Sequence, residues 1–422
     1  MRHFCFVAAI VVLSTAAAIP STAAAAGKVK GSTDSLDQRT RQAIEPETAE
    51  QAIALLRAQG PAGLEALIAA HRPAIDEATR AGELEGEQLE RWQRIRHAID
   101  GVSAQRDCHA SGLYWYTDLD QAQAAAKLAG KPILSLRLLG KLTDEYSCAN
   151  SRFFRTTLYS NQEVAKYLRQ RFILHWQTVR PVPIVTIDFG DGRSLRRTVT
   201  GNSAHYVLTP DGQPLDAIPG LYGPQAFLRL LNNAEELAHT VMAATSGASR
   251  ASVISAFHTQ RGKLLDRAWQ SDMARLRGGK SATRLVAASP AEATEAVWNR
   301  VAMLHVTSAE LDESSRRLIE SQHPTAFASI ETAMTKSAGE FPLARLVRGL
   351  QDSIALDTVR NEYLLHRRIH AWFAAGDVRD VPAFNERVYA ELFLTPSDDP
   401  WLGLLPAGYT GLENNGVVAA NP

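Results

Sequence analysis

The chain has 422 residues, in which 45 lysines and arginines balance 45 aspartates and glutamates. A formal charge of zero argues against nucleic acid or a strongly charged surface as partner, because both call for a net field of one sign. The composition is that of an ordinary globular protein, and the length allows two or three domains.

Arg2 and His3 make a short, weakly positive start, FCFVAAIVVL from Phe4 to Leu13 is apolar, and Ala24 and Ala26 form an A-x-A arrangement before Gly27. This is the pattern of a secretory signal peptide over residues 1–26. The run is too short to cross a bilayer comfortably, and no later stretch of about 18 apolar residues follows. A periplasmic or secreted protein, not an integral membrane protein, is expected. Cys5 lies inside the apolar run, so Cys108 and Cys148 remain after export. Two thiols that meet in an oxidising compartment tend to form a disulfide.

Residues 33–107 read as a helical module. AEQAIALLRAQG and AGLEALIAAHR carry apolar residues at three- and four-residue spacing on either side of the Gly60-Pro61 break, and LERWQRIRHAIDGV continues the period. From residue 108 to 240 the pattern changes to strands interleaved with helices. Asp118 or Asp120 can cap the helix DQAQAAAKLAG, Gly130 ends it, and Lys131-Pro132 leads into the strand ILSLRLL. After the loop GKLTDEYS comes Cys148, followed by the helix NQEVAKYLRQR and the strand FILHWQTV. Two hairpins follow, one turning at Gly190-Asp191-Gly192 and one at TPDG, and then a helix from Pro224. Residues 241–395 read as all-helical, and residues 396–422 as an extended C-terminal arm that packs through Trp401 and Leu404.

In the middle segment, Lys131-Pro132 before a strand, Cys148 to Ser151 at a helix start, Glu163-Val164-Ala165 in the next helix, and Gly201-Asn202-Ser203 leading to Asp211-Gly212 occur in an order that resembles exported thioredoxin-like domains. The resemblance covers about a quarter to a third of the chain and is carried by order and spacing as well as residue type. It implies an α/β thioredoxin-like central domain flanked by N-terminal and C-terminal all-α regions. Three positions depart from the family pattern. Ser151 stands where the second cysteine of C-x-x-C belongs, Ser203 stands where a cis-proline belongs, and ILSLRLL offers Ser135 and Arg137 in place of a buried acid.

A cysteine at the first turn of a helix is exposed to free N–H groups and the helix dipole, both of which favour the thiolate. Ser151 can donate a hydrogen bond to that sulfur, and Arg152 adds positive charge. Such a thiol could attack a disulfide, with release left to an external thiol, the partner's own thiol or Cys108, or with the adduct persisting as a trap. A Cys108–Cys148 bridge and an inert buried cysteine are the other two readings. Asn202 and Ser203 would contact a client, or simply turn the chain into a strand. Phe153 and Phe154 are assigned to the core, and His175 and His205 to satisfied strand positions.

Glu362, His366 and His370 share a helix face at four-residue steps, but two arginines between the histidines suggest a solvated face, so neither a metal nor any cofactor is expected. The functional expectation is thiol-disulfide exchange or redox maintenance of envelope proteins through Cys148 and Ser151, with protein clients or small thiols as partners. The alternative is a non-catalytic thioredoxin-fold scaffold with structural cysteines.

Overall fold

The computed structural model describes residues 31–80, 84–277, 287–321, 342–405 and 408–418, so the expected signal peptide lies outside the described residues. The chain is mixed α/β, with a small sheet in the middle and helices at both ends.

Five helices open it: α1 Gly31–Gln42, α2 Ala49–Ala58, α3 Pro61–Ala70, α4 Arg72–Arg80 and α5 Gly86–Ser103. Gly60 takes a φ of +66°, which a residue with a side chain rarely adopts, and Pro61 opens α3 where a missing N–H costs nothing. The inward faces of α2, α3 and α5 bury Leu56, Leu64, Leu67, Ile95 and Ile99 in one core that also takes in Cys108.

Helix α6, Leu119–Ala129, starts where the Asp118 carboxylate accepts the N–H of Gln121 and stops at Gly130 with φ +63°. Strand β1, Ile133–Leu139, is buried along its whole length, as a near-continuous apolar run requires of a central strand. The chain returns through α7 Ala149–Phe153, a π-helical turn at Phe154–Leu158, and α8 Gln162–Arg171, capped by Asn161. It then forms β2, Ile173–Arg180, parallel to β1. Strands β5 Ser203–Leu208 and β6 Pro214–Pro219 close a four-stranded sheet of order β2-β1-β5-β6, with β5 antiparallel to both of its neighbours. Between β2 and β5, β3 Ile184–Asp188 and β4 Ser194–Thr198 form a separate two-stranded hairpin about the expected glycine turn.

Helix α9, Pro224–Ala243, packs on the sheet, and α10, Gly247–Arg277, follows after a short break. Beyond α10 come α11 Glu295–Leu304, α12 Glu313–Ser321, and a helical stretch Pro342–Ala374 that contains a π-helical turn at Asn361–His366. A further helix, Val381–Arg387, runs into another π-helical turn, Val388–Leu392. The expected division near residue 240 is not a division of the core. Ile254, Ile369, Trp372, Phe384, Val388 and Tyr389 join the sheet's own cluster, while Leu265, Trp269, Trp298, Val301 and Ile354 form another. The C-terminal arm also differs from expectation: Trp401 and Leu404 are exposed, and among the described residues of the arm Leu402 is the buried apolar one.

Candidate functional site

Strand β1 ends at Leu139 and turns at Gly140, where φ is +73° and the N–H donates to the Arg180 carbonyl at 2.8 Å. The loop then brings Cys148 to the N-cap of α7. Its backbone is non-helical, and Sγ accepts the N–H of Ser151 at 3.4 Å, the place an oxygen usually takes in a cap. The expected position at a helix start is therefore found.

The expected ionisation is not. The side chain is fully buried, at 0 % exposure. Burial pushes the thiol above its ordinary value, and the backbone N–H groups of Ser151, Leu139 and Asn150, with the charge of Arg152, only partly offset this. Removal from water disfavours the charged form of any thiol, and here it outweighs the local dipoles. The Ser151 hydroxyl makes no hydrogen bond, so only its backbone contacts the sulfur. Arg152 is committed elsewhere, donating to the Ser147 carbonyl and to Thr198 Oγ1, each at 2.6 Å.

Cys108 forms no bridge to Cys148, and both are free and buried. The Cys108 thiol donates to the Leu113 carbonyl at 3.4 Å, and burial pushes its pKa up to about 12. The two sulfurs belong to different cores, Cys108 to the helical module and Cys148 to the sheet.

Of the two turn residues, Ser203 meets the cysteine-capped helix, whereas Asn202 faces the C-terminal segment. Asn150 Nδ2 donates to Ser203 Oγ at 3.0 Å, and a Cβ at Gly201 would fall 2.6 Å from Asn150 Oδ1, so this turn sits directly on the start of α7. Asn202 points its amide to Thr395 Oγ1 at 3.1 Å, and its carbonyl accepts the Tyr389 hydroxyl at 3.1 Å. Arg180 fastens the same segment, donating to the carbonyls of Thr395 at 2.8 Å, Asp399 at 3.0 Å and Pro396 at 3.2 Å. The turn assigned to clients is thus occupied by the chain's own residues 389–399. Sequence reasoning missed Tyr389 and Thr395, which lie nearly 200 residues downstream with no local motif to mark them.

Ser135 and Arg137, which replace the buried acid, are paired along the sheet. Ser135 Oγ lies 2.8 Å from His175 Nδ1, and Arg137 donates to the Gln177 side chain. His205 Nε2 lies 2.6 Å from the Tyr159 hydroxyl. Burial lowers His175 and His205 to about 3, so both are neutral structural groups. Phe154 is buried in the sheet's core, and Phe153 is half-buried against it.

The β3–β4 hairpin has the opposite character. Val185 pairs with Arg197 and Ile187 with Leu195, placing Val185, Ile187 and Leu195 on one face. Ile184, Val185, Ile187 and Phe189 are all exposed. A separate cleft of about 1250 Å³, between the helical module and helices α7, α8 and α12, has Arg96, Arg106, Arg155 and Arg169 among its lining residues. Buried Arg155 there faces buried Asp107 at 3.6 Å.

Glu362 turns away from its two histidines to a bidentate pair with Arg229, at 3.0 and 2.7 Å. His366 and His370 face inward and are buried. Asp216 of β6 takes the carboxylate's place, 3.0 Å from His366 Nε2.

Comparison with known proteins adds no assignment: no family model, curated protein or solved structure matches the chain. Among the described residues, no helix is long and apolar enough to cross a membrane.

Proposed function

We propose that this chain is an exported thioredoxin-like protein that binds other proteins without catalysing thiol-disulfide exchange. The observation that carries this reading is the sealed sulfur: Cys148 is fully buried with its thiol pushed upward, beside a turn filled by the chain's own C-terminal segment. A nucleophilic thiol needs both ionisation and access, and here both are reduced.

The sheet order with its single antiparallel inner strand, the cysteine-capped helix after β1, and the turn packed on that helix support the thioredoxin-like reading. The partner contact is assigned to the β3–β4 hairpin. A two-stranded ribbon with apolar residues in water is marginal by itself, and a partner protein laid on the Val185, Ile187 and Leu195 face would stabilise it.

The test is alkylation of the folded protein at about pH 7.5, alongside an insulin-reduction assay. Cys148 should label only through rare opening of the structure around it, and no reduction should occur. Fast labelling with a midpoint well below the roughly 8.5 of a free thiol would overturn the reading. The hairpin is tested by a Val185→Glu/Ile187→Glu variant, which should keep its thermal stability and lose its cross-linked partners.

A second reading, monothiol exchange with protein clients, is favoured by the Ser151 N–H aimed at Cys148 Sγ at 3.4 Å. It requires residues 389–399 to leave the Asn202 turn before a disulfide can approach, and an external thiol to release the adduct.

A further inference from the structure

The geometry points to a metal site: Asp216, His366 and His370 form a buried centre for a divalent transition-metal ion of the zinc class. One ligand atom from each of the three lies within 4.8 Å of those of the other two. All three residues are buried, at 2 %, 1 % and 2 % exposure. Two imidazoles and a carboxylate are a donor set suited to zinc, cobalt or nickel, which bind at about 2.0–2.2 Å and so draw their ligands closer than this with small side-chain movements. His366 Nε2 and Asp216 Oδ1, at 3.0 Å, are already at such a separation.

The surroundings prepare His370 for this role. His258 of α10 places Nε2 at 2.8 Å from the Leu215 carbonyl and Nδ1 at 2.7 Å from His370 Nδ1. A carbonyl can only accept, so His258 Nε2 carries the proton and Nδ1 of the neutral ring accepts from His370 Nδ1–H. His370 Nε2 is then left with a free lone pair, the form a ligand needs, held by the kind of outer hydrogen bond that fixes metal-binding histidines. The His258 ring is itself fixed against Phe373, with centroids 4.3 Å apart and planes 8° from parallel. His366 donates from Nε2 to the Asp216 carboxylate, so an ion bound at Nε2 takes that proton's place and the ring's proton moves to the buried Nδ1, which has no hydrogen-bond partner.

The ion would join two parts of the fold, the sheet edge and the helical stretch Pro342–Ala374. Asp216 belongs to the edge strand β6, His366 closes the π-helical turn Asn361–His366, and His370 lies one turn further on. So deeply enclosed a centre is structural, clamping the C-terminal helices to the sheet. This inference does not depend on the function proposed above.

The test uses the full chain, dialysed against chelator and then titrated with zinc or cobalt. About one equivalent should bind, zinc should raise the melting temperature by several degrees, and cobalt should give the visible absorption of a low-coordinate nitrogen and oxygen site. A His366→Gln/His370→Gln variant should lose all three responses. If that variant does not fold, the cobalt spectrum of the wild-type protein decides. Absence of both the spectrum and the thermal shift would show a hydrogen-bonded histidine network only, and a sulfur-to-cobalt band would place the ion at a cysteine; either result overturns the assignment.

Discussion

Tyr389 donates its hydroxyl proton to the Asn202 carbonyl at 3.1 Å, tying the C-terminal segment to the turn beside the helix that Cys148 caps. A residue near the end of the chain is thereby fixed in the same core as Cys148.

Loss of that bond should loosen the seal. A Tyr389→Phe variant gives up about 1 kcal/mol of a net hydrogen bond, enough to raise the open population about fivefold. Alkylation of Cys148, followed by mass spectrometry on the folded protein, should accelerate by about that factor while the circular dichroism stays unchanged. An unaltered rate would mean that the segment does not govern access.

Removal of the sulfur separates the binding and redox readings. Cys148→Ala leaves a small void in a packed core and should cost about 1–2 kcal/mol in chemical denaturation. Partner capture through the hairpin should survive the change. A protein working by exchange would instead lose its adducts completely.

The buried pair of Asp107 and Arg155 should be intolerant of half-removal. Asp107→Asn leaves a guanidinium in the interior without its counter-charge, and the cost of such a change is about 3–5 kcal/mol. Replacing both, as Asp107→Asn with Arg155→Met, should recover much of that loss in the same denaturation experiment.

Asp100 sets a pH dependence of defined sign. Its carboxylate accepts the Cys108 N–H at 3.0 Å, and burial raises its pKa to about 7, with the nearby Asp107 charge adding to the rise. The folded chain therefore holds this proton to about pH 7, whereas the unfolded chain releases it near its ordinary value of about 3.9. The folded state binds more protons between those values, so this group's contribution to stability is full below about 3.9 and falls as pH rises toward 7. Asp100→Asn cannot ionise, and its melting temperature relative to wild type should increase between about pH 5 and pH 8. A difference that stays flat, or shrinks, would contradict the assignment.

Local order was readable from residue pattern. The buried strand Ile133–Leu139 follows from its apolar run, the α6 boundaries from Asp118 and Gly130, and the β3–β4 turn from Gly190-Asp191-Gly192, because periodicity, capping and positive φ act over a few neighbours. The same nearness placed Cys148 at a helix start with Ser151 beside it.

Burial and long-range partners depend instead on elements far apart in the chain. Spacing alone put Glu362 with His366 and His370, but folding pairs Glu362 with Arg229 and brings Asp216 in from β6, 150 residues earlier than His366. The state of Cys148 turned on the same kind of information. Its dipolar surroundings are local, whereas the loss of water that overrides them comes from the packing of the sheet's core, which also takes in Tyr389 from the C-terminal segment. Short-range chemistry is written in neighbouring residues, while desolvation is a property of everything that closes around an atom, and only the assembled tertiary packing determines it.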